Sequence, residues 1–499
     1  MQFARSRPAT PAAALGAAAV LGVAATGCFS GSTAGGDDRL AIELAFPPVM
    51  QMSPYSDDAA LLGRVGAAEP LIALDDNGEP RPLLAEDWEQ NDDGAWELAL
   101  RDDVAFHDGT AMTADHVADA LNHAAAASPL PRALAGVELT AEATGDHTVW
   151  VDTGEPDPIL PQRLSSPELA ILAPAAYEDD PAIPDPAGAG TGPYELTEAS
   201  GTAATLEPHE DYWNGAPRAA GIDVRFVEDA ASRVGALRAG EADIVDAVPV
   251  AELATITDQN VLEVPLPRTV GMFLNNDTGA FTDPELRAAA ADATDSEPIV
   301  EEIYEDRADA TEGIFGPVSD WAAERPDTAP EAEPGDPDGE RITLATYSDR
   351  AELPEAASAV AENLRDAGFE VEVVVQEFAT METDLMEGAF DAVIGARSYL
   401  IETNDPIGYL ASDWGCDGSY NLARFCEEDI DDLITRAAAE TDVEERLAAA
   451  VEIEAEIIAT HSFVPLAAER ARIGVAEGVE GVVEDPLERR IVTEETSAQ

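Results

Sequence analysis

The 499-residue sequence predicts an α/β protein of two bodies with mixed sheets, the first carrying an extra α+β subdomain. Three observations predict it. Strand, helix and strand follow one another from Ile222 to Val245 and again from Ile342 to Ile394, which is the signature of parallel or mixed sheets. Between them and the start of the chain, the turn signals Asp76-Asn77-Gly78, Asp92-Asp93-Gly94 and Asp108-Gly109 punctuate short strands, a pattern of consecutive hairpins. Residues that are 45% hydrophobic, with 6 Trp, 9 Tyr and 13 Phe, suffice for large cores, and the length suits two or three domains.

Taken in order, Leu40 to Phe46 reads as the first strand, and Trp96 to Arg101 as one of the hairpin strands. Thr113 is placed to cap a helix from His116 to about Ala127, with Asp115 in its positive first turn. After Gly192-Pro193-Tyr194 come strands near Ala203 to Glu207 and Ile222 to Val227, then a helix from Ala230 to Ala239 that Gly240 stops. The second unit runs strand Ile342 to Tyr347, helix Leu353 to Asp366 closed by Gly368, strand Phe369 to Val375 and strand Phe390 to Ile394. Asp432 to Thr441 and Glu444 to Thr460 read as helices, the latter entered through Thr441-Asp442. Asp327 to Glu340, rich in Pro, Glu, Asp and Gly, reads as a solvated loop or linker. Two α/β bodies on one chain place a ligand cleft between them.

The formal charge is −74, from 101 acidic and 27 basic residues, and every basic residue is arginine. Nucleic acid is excluded as a partner, because binding it requires a basic surface. Without lysine there is no Schiff-base chemistry and no lysine-bearing phosphate loop. Acids spread along the whole chain predict a hydrated surface that gains stability when salt screens its self-repulsion. The six histidines lack zinc spacing, no Gly-x-Ser-x-Gly nucleophile setting occurs, and no metal or cofactor is expected.

The three cysteines divide into one anchor and one disulfide. Residues 1–27 carry Arg5 and Arg7 before an apolar run from Ala12 to Ala25, a signal-peptide pattern. Ala24-Ala25-Thr26-Gly27-Cys28 resembles a bacterial lipoprotein cleavage site, although Ala25 stands where leucine is usual; the resemblance implies lipidation at Cys28 and an extracytoplasmic, membrane-anchored body. Residues 28–38 are then a tether. Cys416 and Cys426 are expected to pair, closing a short loop.

Several segments carry a resemblance to a known family. Ala68-Glu69-Pro70-Leu71, Leu83-Leu84-Ala85-Glu86-Asp87-Trp88-Glu89, Leu100 to Thr110 and Thr113-Ala114-Asp115 are followed by Gly190-Thr191-Gly192-Pro193-Tyr194, Asp211-Tyr212-Trp213-Asn214-Gly215 and Arg238 to Ile244. Phe273-Leu274-Asn275, Phe281 to Arg287, Asp429 to Leu433 and Glu440-Thr441-Asp442 continue the match, which departs at Ser296, where a basic residue is usual. In this order they resemble the extracellular solute-binding proteins of family 5, the peptide- and nickel-type receptors of ABC importers.

The resemblance implies a two-lobe, periplasmic-binding-protein-like fold with a hinge. Lobe I would comprise residues 39–265 and 469–499, with 63–177 as its extra subdomain, and lobe II residues 266–468. It implies a monomeric receptor that closes on a short peptide and delivers it to ABC permease subunits, with a nickel or metallophore complex as the other ligand class. An extracellular hydrolase is the alternative outside that family. In peptide-binding members a carboxylate ahead of an Asp-Pro pair holds the ligand amine; here Glu402 precedes Thr403-Asn404-Asp405-Pro406, and it is otherwise one surface acid among many. Arg397 and Tyr399 leave the carboxyl end of a strand, where α/β ligands sit. Arg397 suits a peptide carboxylate, the carboxylates of a metal complex, or a structural ion pair. Trp414 lines a pocket or joins the core.

Overall fold

The computed structural model describes residues 38–499 apart from 57, 76, 77, 92, 93, 327, 401, 402 and 499. Residues 1–27, expected to be a signal peptide, Cys28 and Glu402 lie outside the described residues. Eighteen strands are assigned among them, of which sixteen are used below. These are β1 (Leu40–Leu44), β2 (Ile72–Leu74), β3 (Pro80–Pro82), β4 (Ala85–Gln90), β5 (Trp96–Leu100), β6 (Thr140–Gly145), β7 (Thr148–Asp152), β8 (Tyr194–Ala199), β9 (Ala203–Pro208) and β10 (Ile222–Phe226). There follow β11 (Ile244–Val245), β12 (Asn260–Leu274), β13 (Arg341–Tyr347), β14 (Glu370–Gln376), β15 (Ala392–Ser398) and β16 (Phe463–Val475).

Ten strands form one mixed sheet in the order β14-β13-β15-β12-β16-β11-β1-β10-β9-β8. At one end β1 pairs in parallel with β10 and β11, Ile42 lying opposite both Val224 and Ile244. At the other, β13 pairs in parallel with β14 and β15. The two antiparallel strands β12 and β16 run between these groups. The two α/β units expected from the sequence are therefore joined through their sheets as well as along the chain.

Local sequence accounts for the helices flanking the sheet. Asp229 caps helix Ala230–Ala239 by accepting from the Ser232 amide, and Gly240 at φ 69° ends it, a left-handed conformation that glycine adopts without a Cβ clash. Helix Leu353–Ala367 begins with Pro354 in its first turn, where no amide hydrogen is needed, and ends at Gly368. It turns Leu353, Val360 and Leu364 onto a core shared with Leu344 and Ile394. Ala345 and Val393, the strand neighbours of those last two, face the opposite core of Leu410, Trp414, Phe425 and Phe463. Both sheet faces are thus covered in this half. Shortening Leu364, which is fully buried, to alanine would cost about 2–5 kcal/mol.

In the first half, β4, β5, β7 and β6 make a separate antiparallel sheet under helix Ala114–Ala126. Thr113 accepts from the His116 amide at the start of that helix. Val117 and Leu121 join the same core as Leu40, Ile42, Ile222 and Val224, so this α+β element is packed continuously onto the main sheet. Helix Glu428–Ala438 starts four residues before the sequence expectation, because Glu428, Asp429 and Asp431 provide a negatively charged first turn.

Candidate binding site

The parallel strands of the two halves aim their carboxyl ends at one region. From the first half come Leu44, Phe226 and Val245; from the second come Tyr347 and Ser398. Crevices at such ends are where open α/β sheets bind ligands. The crossing strands are irregular there. Pairing of β12 with β16 slips between Pro265 and Thr269, so that Leu266, Pro267 and Arg268 stand against the single residue Glu469.

Charged side chains from both halves converge at this slip. Arg268 contacts Glu488 through Nη2, and its Nη1 lies 3.7 Å from Glu469 Oε2. Arg350, just beyond β13, reaches the same Glu469 oxygen at 3.3 Å. Arg64 pairs with Asp246 at 2.9 Å, while the Asp246 carboxylate also accepts from the Ala45 amide at 2.7 Å. A second bridge joins Arg472 to Glu352 at 2.7 Å, and Glu352 also accepts from the Val250 amide at 3.1 Å. Burial alone would raise the Glu488 carboxyl, but the positive charges of Arg268, Arg64 and Arg350 hold it down at about 2. Burial opposes the Arg350 charge, and Glu469, Tyr347, Glu488 and Tyr304 together outweigh it to raise that guanidinium. Among the described residues, the buried Nε of Arg64 has no hydrogen-bond partner.

The residues singled out in the sequence fall into two groups. Arg397 is held by a bidentate bond to Asp413, at 2.6 and 3.0 Å, and stacks with its Cζ 3.8 Å from the Tyr420 ring centroid. Asn404, at φ 52°, donates from Nδ2 to the Gly78 carbonyl 2.6 Å away, across the two halves. These two side chains are partly exposed.

The other three point inward, and Trp414 takes the core place that was one of its two expected ones. Tyr399 is 1% exposed, its hydroxyl accepting from the Gly316 amide at 2.9 Å beside Ser319. Asp405 caps helix Pro406–Trp414 and pairs with buried Arg446 at 2.5 and 3.1 Å. Trp414 is 1% exposed, donates to the Tyr409 hydroxyl and packs on Phe273 and Phe463. Each has its polar atoms engaged inside the protein. Cys416 and Cys426 form the expected disulfide, and the loop they close contains Tyr420.

Sequence reasoning missed Arg64, Arg268, Arg350 and Glu488. A usable signal was present: Arg350 lies just beyond β13, a strand of a parallel pair, and Arg268 is the one charged residue in the stretch from Val264 to Leu274.

A cavity of about 230 Å³ lies within the first half, lined by Leu62, Gly63, Glu69, Tyr212, Trp213 and Arg489 among others. Glu69 is 8% exposed and accepts from the Tyr212 hydroxyl at 2.7 Å and Trp213 Nε1 at 3.2 Å. Desolvation outweighs those bonds and pushes its carboxyl up to about 7. Nearby, His107 and His209 each place a ring nitrogen on the Gly192 carbonyl, at 2.9 and 3.2 Å, and burial pushes His107 down to about 4. No group of three or more His, Cys, Asp or Glu suited to a metal ion occurs among the described residues, and none of their helices is long and apolar enough to cross a membrane.

Comparison with known proteins follows the same outline. The sequence model for bacterial extracellular solute-binding proteins, family 5, matches residues 79–421. The nickel-binding protein NikA of Staphylococcus aureus is 25% identical over 441 residues, covering 84% of this chain and 86% of that protein. The probable D,D-dipeptide-binding periplasmic protein DdpA of Escherichia coli is 25% identical over 442 residues, covering 81% and 82%. Among solved structures, a dipeptide-binding protein from Pseudoalteromonas sp. SM9913 in complex with Met-Leu superposes with a TM-score of 0.80 at 19% identity, covering 92% of this chain and 100% of that one. Structural neighbours of this kind have the two-lobe periplasmic binding fold.

Proposed function

Since the chain belongs to the bacterial extracellular solute-binding proteins of family 5, we propose that it captures a short peptide between its lobes and delivers it to the permease of an ABC importer. Lobe I in this reading is 39–265 with 469–499, including the subdomain 63–177, and lobe II is 266–468. The slip between Pro265 and Thr269 is the hinge, since an irregular ladder bends more readily than a regular one. Cys28 anchors the receptor, a monomer, to the outer face of the membrane by lipid.

The observation that carries the reading is the convergence of Arg64, Arg268 and Arg350 where parallel strands from both halves end. Guanidinium groups suit a solute carboxylate, and a site shared by two lobes makes the solute favour the closed state over the open one. Glu402 would meet the peptide amine. Arg397, whose own carboxylate partner is Asp413, would act through its stacked position with Tyr420.

Calorimetric titration with di- and tripeptides, each with a free and an amidated C-terminus, tests this. Binding of the free forms with at least tenfold preference is expected; no binding of any peptide removes the peptide reading. The same arginines favour one second reading, a nickel or metallophore complex bearing carboxylates. Native mass spectrometry of the receptor purified from its host separates the two by the mass of what it retains. Unchanged candidate peptides and glycans after incubation would set aside the hydrolase alternative.

A further inference from the structure

We propose that the Glu488 carboxylate is a built-in occupant of the arginine cluster, standing where a carboxylate of the solute is to sit, and that the solute binds by displacing it. The proposal rests on the reading of the interlobe region as the solute site and names the group that the site recognises.

The chain around Glu488 is shaped to present it. Glu488 adopts φ 55°, in the left-handed region that non-glycine residues seldom enter. The Asp485 side chain accepts from the amides of Leu487 at 2.9 Å and of Arg489 and Arg490 at 3.1 Å, gathering the loop around one carboxylate. The Glu488 amide donates to the Asp485 carbonyl at 3.0 Å, closing the turn. On its far side the loop is fixed by Arg489, which donates to the Ser165 carbonyl and hydroxyl at 3.1 Å. The strained residue therefore projects from a held loop, and its side chain ends at Arg268.

Burial and charge make Glu488 the carboxylate of the cluster that can leave. Its side chain is 28% exposed, against 8% for Glu469 and 4% for Asp246. While it is in place, Arg64, Arg268 and Arg350 face Asp246, Glu469 and Glu488, and the charges balance. Once it swings out, the same three guanidinium groups face two carboxylates. A buried excess of positive charge is costly, so the vacated place requires an anion. Exchange of one carboxylate for another avoids that cost, whereas a neutral solute cannot make the exchange and is rejected. The unpartnered Nε of Arg64 adds a donor for the incoming group.

Acetate and acetamide are the probes, applied at constant ionic strength to the wild type, Glu488→Gln and Glu488→Ala, with melting temperature as the readout and circular dichroism to verify folding. The neutral variants are expected to gain several degrees from millimolar acetate and nothing from acetamide, with the wild type needing at least tenfold more acetate. Equal responses in all three proteins, or no response in folded variants, overturn the proposal. The wild type supplies a measurement that does not depend on the variants folding: amide hydrogen exchange across Asp485 to Arg490 is expected to quicken as acetate is raised to molar concentration, and unchanged or slower exchange overturns displacement. Peptide titration is kept separate, so that absence of peptide binding refutes the proposed ligand while the acetate response still reports on Glu488.

Discussion

The side-chain amide of Asn404 donates to the main-chain carbonyl of Gly78 at 2.6 Å, joining residues 326 positions apart in the sequence. The contact links the segment after β15 to the turn between β2 and β3, hence the two halves of the molecule. Gly78 has φ 78°, and a Cβ there would lie 2.1 Å from Asn404 Nδ2, so the close approach and the turn both require glycine.

If closure traps the solute, this bond stabilises the closed state alone. Asn404→Ala is expected to quicken solute release about five- to tenfold, which corresponds to the roughly 1 kcal/mol of one net hydrogen bond. Gly78→Ala adds a clash and should release faster still. Stopped-flow dissociation measures both, and rates equal to the wild type would show that the contact plays no part in retention.

Asp405 and Arg446 form a pair that is 6% and 5% exposed at the side chain, with Arg446 also holding the carbonyls of Ala437 and Ala438 at 2.8 Å. Asp405→Ala leaves that guanidinium buried without its counter-charge. A loss of about 3–5 kcal/mol is expected in urea denaturation. A loss below about 1 kcal/mol would mean that solvent or another acid reaches Arg446 in the variant.

The disulfide closes a loop with a sequence separation of 10, and Tyr420 within it covers Arg397. Replacing both cysteines with serine should lower stability by roughly 2–3 kcal/mol through the unfolded chain's added freedom. It should also loosen the Tyr420 ring from Arg397. Solute affinity measured well below the melting temperature distinguishes the two effects: an unchanged value leaves the bridge a stabiliser only.

Salt dependence follows from 101 acidic against 27 basic residues. The melting temperature in molar potassium chloride is expected to exceed that in 10 mM salt, because screening shortens the range of repulsion from about 30 Å to about 3 Å. Equal midpoints would refute the reading of the acidity as an adaptation to salt.

The fold was legible wherever its determinants are local. Asp229 and Gly240 bracket their helix in the sequence as they do in space, and the alternation around Leu344 and Val393 announces a sheet with two covered faces. Strands β12 and β16 escaped notice for the opposite reason. Both are apolar on both faces along most of their length, contain Pro265, Pro267 and Pro465, and owe their regularity to partners far away in the chain. The arginine cluster is hidden in the same way, its members coming from separate segments. Tyr399 follows a strand end, which suggests a site, whereas Trp414 suited pocket or core; packing of Tyr399 on Phe315 and Tyr409, and of Trp414 on Phe273 and Phe463, decides that both are buried.

Glu69 and His107 make opposing contributions to stability as pH changes. The folded Glu69 carboxyl is raised to about 7 from its ordinary 4.5, so between these values the folded chain holds more protons than the unfolded one. Its contribution therefore falls as pH rises through that window. His107 is lowered to about 4 from 6.5, so there the unfolded chain holds the extra proton and stability rises with pH. The two slopes nearly cancel from pH 4.5 to 6.5. Glu69→Gln should expose the histidine slope, leaving the variant close to the wild type at pH 4.5 and more stable by on the order of 2–3 kcal/mol at pH 8. His107→Asn should expose the carboxyl slope, with stability declining from pH 4.5 to 7. Urea denaturation at half-unit pH steps measures all three profiles; parallel profiles would mean that neither group changes its proton affinity on folding.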